Sequence, residues 1–88
     1  MKNNYIWLIQ SSENLNVIGC FMRKHEAETY IFENNLKCML TKYPINMSVY
    51  DWAIQNNFWQ PKNDLQKNSK FRAKFNSAYL EHDHYFQE

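Results

Sequence analysis

Tyr5-Ile6-Trp7-Leu8-Ile9, then the polar break Ser11-Ser12-Glu13-Asn14, then Val17-Ile18-Gly19-Cys20-Phe21-Met22: this stretch decides the fold. Two β-rich apolar runs separated by turn-forming residues predict a β-hairpin. Gly19 is the only glycine in the chain. Inside a strand it predicts a bulge or a close backbone approach.

From Lys24 to Asn35 the period changes. Ala27, Tyr30, Ile31 and Asn34 follow i, i+3, i+4, i+7 spacing, with Glu26, Glu28 and Glu33 mostly elsewhere. That pattern predicts an amphipathic helix packed on the hairpin, stopped by Asn34-Asn35. Cys38-Met39-Leu40-Thr41-Lys42-Tyr43 reads as a third strand closed by Pro44. Ser48 is placed to cap a second helix, with Asp51 in its first turn. Val49, Trp52, Ala53 and Asn56 lie at helical spacing behind it, and Asn57 is its expected C-cap. Ser69 to Phe75 predicts a short helix that carries Phe71, Phe75 and Ala78 inward, and Tyr79 to Phe86 alternates as a last strand. The expectation is an α+β fold in one domain over residues 1–88. It comprises a small antiparallel sheet (hairpin, helix, strand, helix, short helix, last strand) with two main helices packed on it.

A chain of 88 residues has room for one hydrophobic core. The 44% hydrophobic fraction is ordinary for a globular protein and argues against disorder. Aromatics are the outlier: six Tyr, six Phe and three Trp, each able to bury about 150–250 Å². That exceeds the needs of one small core, so some are expected at a binding surface. Twelve Asn residues are also unusual. The net charge of +1 gives no general pull toward nucleic acid or anionic membrane. No apolar run reaches the roughly 20 residues of a membrane-spanning helix. The chain start has neither the length nor the cleavage site of a signal peptide, and a cytoplasmic location is expected. Cys20 and Cys38 lack CxxC spacing and read as reduced, small buried hydrophobes.

The cluster Glu81-His82-Asp83-His84 is the only one with metal-ligand residue types. In a strand His82 and His84 share a face, but a closed zinc site needs four ligands and His25 is the only other histidine. A solvated polar segment is the expectation, with no metal and no cofactor assigned. No nucleophile–base pair appears, and one glycine excludes a phosphate-cradling loop. Lys62, Lys67, Lys70, Arg72 and Lys74 face a single acid, Asp64, with Phe71 and Phe75 interleaved. This superficially resembles a nucleic-acid patch, but flanking acids and near-neutral total charge favour a solvated face or one complementary to an acidic protein.

Tyr43-Pro44-Ile45-Asn46-Met47-Ser48-Val49-Tyr50-Asp51-Trp52-Ala53 and Ser77-Ala78-Tyr79-Leu80-Glu81-His82-Asp83-His84-Tyr85 resemble a small bacterial domain family of unknown function. Its members share YPxNxxVYDWA and SAxxEHxHY blocks. The Phe58…Pro61-Lys62 spacer and Phe71…Phe75 are also similar, and the likeness is weakest before Leu36. The chain departs from the pattern at Met22-Arg23-Lys24, where a Ser-type helix cap is expected, and in lacking a terminal glycine. The resemblance implies a fold and transfers no catalytic residue. By type, a small Asn-rich chain also resembles the immunity proteins of bacterial toxin systems, including contact-dependent growth inhibition.

The expected function is therefore non-enzymatic: an immunity-type protein that binds and occludes a toxin domain. Trp59, Tyr79, Tyr85 and Phe86 are the expected aromatic anchors. Lys62, Lys67, Lys70, Arg72 and Lys74, or an acidic set including Glu81 and Asp83, supply the steering charges. The alternatives are a metal-dependent or acid–base enzyme built on Glu81–His84, and an RNA-binding module built on Lys62–Lys74. Membrane and small-molecule partners are not expected.

Overall fold

The computed structural model describes residues 5–86. Residues 1–4, on which the reading of the chain start partly rests, and residues 87 and 88 lie outside the described residues. The elements are β1 (Tyr5–Ser11), β2 (Val17–Phe21), α1 (Lys24–Glu33), β3 (Lys37–Pro44), α2 (Val49–Gln55), a 3-10 turn (Asp64–Lys67), α3 (Ser69–Lys74) and β4 (His82–Phe86). The strands form one antiparallel sheet in the order β2-β1-β3-β4. The expected α+β class and the predicted hairpin are therefore present, and the 3-10 turn is an addition.

The hairpin carries the bulge that Gly19 predicted. Ile9 opposes Gly19 and Gln10 opposes Val17, so Ile18 is the extra residue on β2. A close backbone approach is not found: a Cβ on Gly19 would meet a side chain, the Phe21 ring at 3.2 Å.

Residues paired across antiparallel strands share a face. One face carries Trp7, Ile9, Cys38 and Leu40, and α1 lies across it with Ala27 and Ile31. These six buried residues make the first core, with Phe21, Leu36 and Tyr85 packed at its margin. Cys38, Leu40, Ile9, Ala27 and Ile31 are fully removed from solvent, so truncating one of the larger of them costs about 2–5 kcal/mol. A second core gathers Trp52, Ala53 and Leu80 with Tyr5, Tyr43, Met47, Val49, Trp59 and Phe75. Here α2 meets the sheet chiefly at β3. It lies beside the far end of the sheet instead of covering it as α1 does.

Asparagine does the work that glycine usually does at the ends of these elements. Asn35 (φ 52°) and Asn57 (φ 60°) hold left-handed backbone just past α1 and α2. At α2 the Asn57 N–H donates to Ile54 O and the Phe58 N–H to Ala53 O; at α1 the Asn35 and Leu36 N–H groups donate to Phe32 O and Ile31 O. Both are Schellman closures, for which Asn is the common substitute for Gly. Asn63 and Asn68 cap the 3-10 turn and α3 through their side chains. Ser48 caps α2 as predicted, accepting from the Asp51 N–H at 2.9 Å. Arg23 precedes α1 with no side-chain cap, in line with the missing Ser there.

Three expectations need correction. Ala78 is exposed, because α3 ends in extended backbone at Phe75 and helical spacing does not continue to residue 78. Leu80 fills the inward role instead. Cys20 is exposed while Cys38 is buried, because Cys20 opposes Leu8 on the face that α1 does not cover. Asn56, not Asn57, is the C-cap of α2.

Candidate functional site

The sheet has a second face. Ile6, Leu8 and Gln10 of β1 stand opposite Tyr43, Thr41 and Met39 of β3, and beyond them lie Cys20 and Val17 of β2 and His82, His84 and Phe86 of β4. Apart from Thr41, no described residue of this face is buried. Val17 is 54% and Phe86 72% exposed. Helix α1 takes the other side, and on this one residues 76–80 and the second core pack only at the end that holds Thr41 and Tyr43.

The consequence is visible in the shape. The extents are 45 × 33 × 17 Å and the radius of gyration is 14.6 Å, where a compact chain of this length has about 12 Å. The molecule is a thin plate, and its sheet carries apolar residues on this second face.

The predicted anchors separate once placed. Trp59 is half-buried in a nest with Tyr50 (5.2 Å between ring centres), Phe71 (5.6 Å) and Phe75 (4.9 Å). Tyr50, which the sequence reading left without a role, is 2% exposed and donates its hydroxyl to Gln66 O at 2.8 Å. The aromatic surplus thus largely serves this second core. Tyr85 points at α1, edge-on to Phe32 and hydrogen-bonded to Glu28. Burial, and then that carboxylate, push its phenol well above the usual range. Tyr79 is 65% exposed and stacks on Phe58 at 4.3 Å. Phe86 lies on the uncovered face, its ring parallel to that of His84 at 6.0 Å.

The predicted charges separate as well. Lys62, Lys67, Lys70 and Lys74 are exposed and, among the described residues, form no ion pair. Arg72 is held internally, its guanidinium 4.2 Å over the Tyr50 ring and 3.6 Å from Asp51. Glu81 and Asp83 turn toward Lys24 of α1, at 3.8 and 2.9 Å. The hydrogen bond to Asp83, with the surrounding carboxylates, raises the Lys24 pKa despite partial burial. The Glu81–His84 cluster is therefore split: Asp83 serves the α1 side, and His82 and His84 stand on the open side. Among the described residues, no group of three or more His, Cys, Asp or Glu could hold a metal ion. No helix among them is long and apolar enough to cross a membrane.

The fold and this surface define an α+β domain that presents a half-finished sheet. The chain belongs to the family described as Domain of unknown function (DUF7710), which matches residues 6–88. Nothing matches among curated proteins or among solved structures.

Proposed function

We propose that this domain binds another protein through the uncovered face of its sheet and, as an immunity-type protein, neutralises a toxin domain by occluding it. One observation carries the reading: α1 lies across one face of the four-stranded sheet, while the other face is covered only at the end that holds Thr41 and Tyr43, by residues 76–80 and the second core. Val17 and Phe86 are exposed and Ile6, Leu8 and Met39 half-buried on this face, and apolar side chains of this kind are the composition of an interface centre. Phe86 is the anchor of the original four that stands on this face, and the exposed lysines of the 3-10 turn and α3 steer an acidic partner toward the plate.

The experiment is protection from a toxic domain encoded by the neighbouring gene, with growth as the readout. The native chain restores growth and forms a stoichiometric complex. Leu8→Lys combined with Met39→Lys places two charges on this face and lowers affinity at least tenfold, with an unchanged far-ultraviolet spectrum. A double variant that protects as well as the native chain contradicts the proposal.

A further inference from the structure

We infer that His82 and His84 form a two-imidazole site for a late first-row divalent metal ion. This does not depend on the docking reading. The two residues alternate along β4 and project from the same face. Their ring centres are 5.4 Å apart with perpendicular planes. With metal–nitrogen bonds of about 2.0–2.1 Å, two imidazoles on one tetrahedral ion have centres about 5.2 Å apart. The observed spacing is therefore already close to that of a ligated pair.

The protonation pattern is suited to ligation too. His82 Nδ1 lies 2.7 Å from Leu80 O. A carbonyl only accepts, so Nδ1 carries the proton, and Nε2 is the ring nitrogen left for a metal. Ligating histidines are commonly oriented in this way, with the second ring nitrogen donating to a backbone carbonyl. Phe86, parallel to His84, restricts the plane of the second ring.

The hollow beside His82 is a second observation, and Thr41 forms part of its wall. Thr41 sits directly opposite His82 across β3 and β4, and its buried hydroxyl oxygen has no hydrogen-bond partner. An unsatisfied buried hydroxyl is costly. Thr41 and His82 line one surface hollow of about 290 Å³ together with Ser77 and Asn76. Two protein ligands leave coordination positions for water, and the polar hollow beside His82 has room for it. Imidazole donors suit Zn²⁺, Cu²⁺ and Ni²⁺.

The test is titration of the full chain with Ni²⁺ and Zn²⁺, and with Cu²⁺ in the Cys20→Ser variant, which removes an exposed thiol that would reduce it. Binding saturates at one ion per chain. His82→Gln and His84→Gln each weaken it at least tenfold, and His25→Gln leaves it unchanged. The electron paramagnetic resonance of the Cu²⁺ form shows two imidazole nitrogens, falling to one in either variant. Absence of saturable binding overturns the inference, as does binding that survives the double replacement or is lost in His25→Gln.

Discussion

Tyr85 of β4 donates its hydroxyl proton to Glu28 of α1 across 2.7 Å, joining residues 57 apart in sequence. The phenol is held protonated by burial and by that carboxylate, so its folded pKa lies above the unfolded value of about 10. A group shifted upward contributes stability that is whole below the unfolded pKa and is lost as pH rises beyond it. Lys24, raised chiefly by its hydrogen bond to Asp83, acts in the same direction. Urea midpoints should therefore fall from about pH 10 upward. Tyr85→Phe should be less stable at neutral pH but lose less on going to alkali. Parallel pH profiles for the two proteins would count against the Tyr85–Glu28 contact.

The two thiols should react differently. Cys20 is exposed and Cys38 buried, with burial raising the Cys38 pKa. Because the thiolate is the reactive form, burial protects Cys38 twice over. Mass spectrometry after brief alkylation should find one label on the native chain and two in denaturant. Two labels under native conditions, or none after unfolding, would contradict this placement.

Trp52 belongs to the second core. It is 8% exposed, donates its indole N–H to the Tyr5 hydroxyl at 3.4 Å and packs on Phe58. Trp52→Ala should cost about 3–5 kcal/mol, a large part of the total stability of a small domain. An unchanged melting temperature would show that α2 does not pack as described.

Asn57 is held at φ 60° to close α2. Asn57→Ala should lose about 1–2 kcal/mol, because a Cβ without a local hydrogen-bonding group strains left-handed backbone. Asn57→Gly should be at least as stable as the native chain. Thermal melts of the pair give the comparison, and the reverse ranking would contradict the Schellman closure.

What the sequence made legible was local. The Ser48 cap, the Gly19 bulge and the Asn stops follow from residues within a few positions of one another. The Asn-rich composition also resolves into a structural role, since Asn35, Asn57, Asn63 and Asn68 each end or begin an element. What stayed hidden depends on distant pairing. Every residue from Tyr5 to Ile9 is apolar, a pattern that suits a strand covered on both faces and so concealed that Ile6 and Leu8 face an open side. Tyr85 is turned inward by its register opposite Cys38, and the nest of Tyr50, Trp59, Phe71 and Phe75 brings together residues from three separate segments. No spacing rule links them.

The central claim is that the uncovered face is where a partner protein docks, and Cys20 is a native probe on that face. The direct measurement is the alkylation rate of Cys20 in the free chain and in the presence of a saturating concentration of a protein whose toxicity the chain suppresses. The account predicts at least a tenfold slowing at Cys20, reversed when Leu8→Lys and Met39→Lys weaken the complex. A partner that binds stoichiometrically while Cys20 reacts at its free rate would contradict it.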